Sequence, residues 1–211
     1  MSELVAILTG DLIASTAAPD RAETAMQVLA RAAATLGHWA GQDARFTRFR
    51  GDGWQLRLAR PGLALRAALY LTANLTAATA LPSRIAIGIG PLAHPGTRDL
   101  SDARGAAFEQ SGRALDSLPR NRHLALAGAV TDWQIALVTL ADWHARRWSA
   151  EQAEAAALAL APDAPGQTAL AQHLGITRQA IAARLSGAGL AAWEPALHAF
   201  ESFPFTPGGA P

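Results

Sequence analysis

Over the first 130 residues, short apolar runs alternate with stretches in which apolar residues recur at helical spacing. LVAILTG (4–10) ends in glycine and reads as a buried strand. From Pro19 to Leu36 the spacing is helical, and Gly37 reads as its stop. Residues 45–57, RFTRFRGDGWQLR, predict a hairpin, with strands Arg45–Arg50 and Trp54–Leu58 about a Gly-Asp-Gly turn. Pro61 opens a second helix, LALRAALYLTANLTAA. RIAIGIG (84–90) is a further strand, the loop PLAHPGTRDLS leads to a third helix over about 102–118, and HLALAG (123–128) can add a last strand. The order βαββαβ, then β, predicts an α+β domain of ferredoxin-like or palm type over residues 1–130. One antiparallel sheet is expected, with the first two strands adjacent and the helices on one face.

Beyond residue 130 only helical spacing remains. TDWQIALVTLADWHARRW (131–148) predicts a connecting helix that packs Trp133, Ile135, Leu137, Leu140 and Trp143 back onto the rest. Trp133, Trp143 and Trp148 read as core residues. After the breaker PDAPG (162–166), QTALAQHLGITRQAIAARLSGAG has helix-turn-helix spacing, with Ala171 in the first helix, Gly175 in the turn and Ile181 buried in the second. A helix-turn-helix domain is assigned to 149–203, and the Pro/Gly-rich residues 204–211 read as a flexible tail.

Composition narrows the chemistry. Half of the 211 residues are hydrophobic, much of it Ala, which favours closely packed helices. The absence of Cys excludes disulfides and thiolate zinc sites. The N-terminus has no basic segment followed by a long apolar stretch, and no charge-free apolar run of about 18 residues occurs. A cytoplasmic protein that does not engage membranes is expected. All 18 basic residues are Arg, to which no function is attached. They are unevenly placed: residues 1–130 hold 14 Arg against 10 acids (+4), and residues 131–211 hold 4 against 7 (−3). The first part is therefore the better partner for an anion.

GDLIAS (10–15), GDGWQL (51–56), RIAIGIG (84–90) and GAAFEQSGRAL (105–115), followed by the helix-turn-helix, resemble the SatD-type bacterial proteins. The N-terminal part of that type is similar to class III nucleotide cyclases and the wider palm group. The resemblance implies that Asp11, ending the first strand, and Asp52, in the hairpin turn, hold Mg²⁺ at a nucleotide; hard Mg²⁺ prefers such carboxylate and phosphate oxygens. Arg48, Arg50 and Arg113 would then neutralise phosphate charge. The chain departs from the cyclase pattern at Glu109, which stands where an Asn is expected. It departs again at Arg48, where adenylyl cyclases carry a base-reading Lys.

Each residue has a plainer reading beside that one. Asp52 can serve its own turn, Asp11 can cap the loop into the first helix, and the arginines can line a solvated strand face. His38, His94 and His123 show no ligand spacing. In the C-terminal part, Thr177, Arg178 and Gln179 are placed to read bases and Arg184 to reach the DNA backbone, against the acidic balance of that half. Three functions are open: a DNA-binding transcriptional regulator, expected as a homodimer, with a sensing or dimerisation domain; a metal-dependent nucleotidyl cyclase or nucleotidyltransferase; and a protein-interaction module.

Overall fold

The computed structural model describes residues 3–41, 44–49, 51–97 and 99–206. Its elements in chain order are β1 (Leu4–Leu12), α1 (Pro19–Ala40), β2 (Phe46–Arg48), β3 (Gly53–Leu58), α2 (Ala64–Ala78), β4 (Ser83–His94), β5 (Arg104–Gly105), α3 (Ala106–Asp116) and β6 (Leu124–Gly128). Then follow α4 (Asp132–Ala145), α5 (Ala150–Ala159), α6 (Gln167–Leu174), α7 (Arg178–Gly187) and α8 (Leu190–Glu201). The mixed α+β architecture and the β2–β3 hairpin agree with the sequence reading. The first helix runs through Gly37 and ends at Gly41, whose positive φ closes it.

The sheet order is β2-β3-β1-β4-β5, with β6 beside β4. β1 is therefore central, antiparallel to both β3 and β4, while β2 lies at the edge. This corrects the expectation that the first two strands are neighbours. It also corrects the all-antiparallel sheet, because β6 runs parallel to β4.

Helices cover both faces rather than one. Leu4, Ala6 and Leu8 of β1 join Trp54, Leu56, Ile85 and Ile87 in the main core against α1 and α2. The alternate residues Val5 and Ile7 meet Ala107 of α3 on the opposite face. α3 sits close because Gly88 leaves room for it: a Cβ there would lie 2.2 Å from the Ala107 carbonyl oxygen. That is the physical reason for glycine in RIAIGIG.

The helices after residue 149 share the main core. Ala153 and Ala156 of α5, and Trp193, Leu197 and Phe200 of α8, are buried in it. A partly buried guanidinium tightens this junction: Arg66 donates to Glu201 Oε1 at 2.5 Å and to the Leu160 carbonyl at 3.0 Å. α5 also contributes to a smaller cluster, with Ala155 beside Leu170 and Ala171 of α6 and Ile181 and Leu185 of α7.

α4 is turned differently from its expected orientation. Val138, Ala141 and Ala145 form its buried side, and buried Asp142 accepts from the His123 backbone N–H at 2.9 Å and pairs with Arg146 at 3.2 Å. These short side chains let α4 lie close to β6 and α2. The bulkier residues face outward: Trp133 is 42% exposed, Ile135 40%, Leu140 62% and Trp143 53%. Trp148 is buried as expected, but Trp133 and Trp143 are not core. No helix among the described residues is long and apolar enough to cross a membrane.

Candidate functional site

Strand alternation puts Asp11 on the α3 side of the sheet, two residues beyond Thr9, whose hydroxyl is 2.8 Å from that of Ser111. In the ladder Asp11 stands opposite Gly53 on one side and Arg84 on the other. The hairpin turn is carried to the same end: Leu12 N–H donates to the Asp52 carbonyl at 3.2 Å. Central placement of β1 thus joins two aspartates 41 residues apart in sequence. Trp54 fixes this corner. Its buried indole N–H donates to Ser83 Oγ at 3.0 Å, and Ser83 donates to the Asp11 carbonyl at 2.7 Å.

Neither carboxylate is free. Arg84 grips Asp11 with two bonds, Nε to Oδ1 at 2.9 Å and Nη2 to Oδ2. Ser15 Oγ donates to Asp52 Oδ2. The Arg84 pKa is held above its usual range, chiefly by the hydrogen bond to Asp11 and against partial desolvation, with the charges of Asp11, Asp116 and Asp52 adding. A resident Mg²⁺ would need open carboxylate oxygens. Here a guanidinium occupies both oxygens of Asp11, which leaves Asp52, bonded by Ser15, as the one carboxylate of the pair without a counter-charge. In this arrangement the donor set does not fit the ion.

Of the arginines expected around the two aspartates, Arg48 and Arg113 pair with other carboxylates. Arg48 pairs with Glu23 of α1 at 2.6 Å on the surface. Arg113 points into solvent along α3, 3.9 Å from Glu109 one turn earlier. Arg50 lies outside the described residues. Arg45 donates to the Pro95 and Gly96 carbonyls at 3.1 and 3.0 Å, so it holds a loop. Sequence reasoning missed Arg84. Its signal was the register of two strands, which a motif of consecutive residues does not contain.

The second candidate region is the α6–α7 turn. Gly175 ends α6 at φ +65°, a conformation that favours glycine, and Thr177 begins α7 by accepting from the Ala180 N–H at 3.1 Å. Ile181 is buried beneath, as the spacing implied, and so is Ala171. Arg178 and Gln179 are exposed at the start of α7. Among the described residues no salt bridge engages Arg178, whereas Arg184, one and a half turns on, pairs with Glu154 of α5 at 2.8 Å.

No protein-family model and no curated protein matches the chain. Among solved structures it is similar to the guanylyl cyclase Cya2, at 15% identity and a TM-score of 0.44, over 60% of this chain and 77% of that one.

Proposed function

We propose that the protein is a DNA-binding regulator that presents the start of α7 to the major groove, with the β-sheet part as its carrier and not as a catalyst. The observation that carries this reading is the pair Arg178 and Gln179, exposed at the first turn of α7, which is held by α5 and α6 on a buried Ala171–Ile181 contact. Arg suits the O6/N7 edge of guanine and Gln the N6/N7 edge of adenine. Thr177 is spent on capping, and Arg184 on Glu154. On this reading Asp11 and Asp52 are structural, Asp11 paired with Arg84 and Asp52 holding the Ser15 hydroxyl of the loop after β1.

The acidic balance of residues 131–211 makes a definite demand. Few phosphates are neutralised per protomer, so log affinity should fall with log salt at a slope of only about −1 to −2. Selection from a genomic fragment pool at low ionic strength, followed by anisotropy titrations, tests this. Arg178→Ala should cost about 1–3 kcal/mol at one base position and little on random DNA. Failure of any fragment to be retained at low salt would overturn the proposal in favour of an interaction module.

A further inference from the structure

We infer that the outer face of α4 is a self-association surface that pairs antiparallel with the same helix of a second copy of this chain. Trp133, Ala136, Leu140, Trp143 and Arg147 follow one another at spacings of three, four, three and four residues, the pattern of a narrow helix-pairing seam. All five are exposed, and the buried face of the same helix is already fully used against β6 and α2. Contiguous apolar surface rich in Trp and Arg marks an interface more often than free surface.

The seam is prearranged. Trp133 is held edge-on to Phe200 and Phe203, with centroids 6.4 and 6.0 Å apart. The Arg147 guanidinium stacks 4.1 Å over the Trp143 ring and donates to the Trp143 carbonyl.

Charge selects the occupant and its direction. Exposed Asp132 stands in the first turn and exposed Arg147 just past the last, so the seam is acidic at one end and basic at the other. A parallel copy would set like charges together. An antiparallel copy brings Asp132 against Arg147 at both ends, with Leu140 near the two-fold axis and small Ala136 available to the large Trp143 ring. A surface complementary to itself in this way is what an isologous dimer requires.

This inference does not rest on DNA binding, since the oligomeric state is read without DNA. Sedimentation velocity on the full chain should show a dimer at micromolar concentration. Leu140→Glu should weaken association about tenfold or more, because it places two unpaired charges at the centre of the seam. Its circular dichroism should be unchanged, as the side chain is solvent-exposed in the protomer, and its unfolding midpoint should match wild type at concentrations low enough that both are monomers. Asp132→Arg and Arg147→Asp should each weaken the dimer, and the double variant should restore it to within about threefold of wild type. A wild-type monomer up to about 100 μM, an affinity of negligible strength, would overturn the inference. So would a dimer indifferent to Leu140→Glu, or charge reversals that fail to rescue each other.

Discussion

The Asp11 corner of the sheet and the first turn of α7 both place charged side chains at the end of an element, and they differ in what those charges already hold. At the corner, Asp11 is neutralised by Arg84, which strand register sets opposite it, and Asp52 accepts from Ser15 in the loop after β1. At α7 the only local satisfaction is the cap from Thr177, and Arg178 projects without an ion pair among the described residues. A neutralised pair offers little to a ligand, because binding must first break it. An exposed guanidinium with all its donors available has no such cost. The family resemblance pointed to the corner as a metal and nucleotide site, whereas the ion pair already made there and the exposed Arg178 support the function proposed for the helix.

The largest effect expected from breaking the corner comes from its anchor. Trp54 is 1% exposed, packs so close to Gly10 that a Cβ there would lie 2.4 Å from its ring, and links the hairpin to β4 through Ser83. Trp54→Ala removes that ring and leaves Ser83 without its donor, at a cost of about 3–5 kcal/mol. Urea unfolding should show it as a lower midpoint. A loss below about 1 kcal/mol would mean that the corner collapses around the gap and is not held by Trp54.

The same two regions show how far the sequence could be read. Element types followed from local information, since period, Pro and Gly are properties of neighbours in the chain. The corner's membership did not. Asp11 and Asp52 were found through the family resemblance, one at the end of a strand and one in a turn, but Arg84 becomes the partner of Asp11 only once β1 is placed beside β4. The resemblance implied a phosphate role for Arg48, whereas in the free protein it pairs with Glu23 of α1. α4 failed for another reason. Its hydrophobic residues surround most of the helix, so periodicity did not separate the small Val138–Ala141–Ala145 side, which packs, from the Trp133–Leu140–Trp143 side, which does not. At α6–α7 the helical place of Ala171, the turn glycine and the buried Ile181 were legible because all three lie within eleven residues.

A sharper test of the corner is Arg84→Ala. Arg84 and Asp11 are about a third and a quarter exposed, so water can replace part of what is lost, and the expected cost is about 1–2 kcal/mol after allowing for that screening. The freed Asp11 then stands beside Asp52 with no counter-charge. Millimolar Mg²⁺ or Ca²⁺ should therefore raise the melting temperature of Arg84→Ala and leave that of the wild type unchanged. A wild-type protein stabilised by Mg²⁺ to the same degree would show that the guanidinium does not keep the ion out, and the contrast with α7 would lose its basis.

The smallest effect separates two arginines of one helix. Arg184 pairs with Glu154 at 2.8 Å, with a quarter of its own side chain and half of its partner's exposed. Such a pair contributes about 0.2–1 kcal/mol, so Arg184→Ala should lower the unfolding free energy by that amount. Arg178 has no such partner among the described residues, and Arg178→Ala should leave stability within about 0.5 kcal/mol of wild type. Their effects on DNA should be reversed, with Arg178→Ala removing affinity and Arg184→Ala leaving both affinity and salt slope as they were. If Arg184→Ala instead reduces the salt slope by about one, the residue exchanges Glu154 for a phosphate on binding. The reach of α7 along DNA would then extend a turn and a half past its first residues, and an ion pair satisfied in the free protein would no longer mark a charge as unavailable.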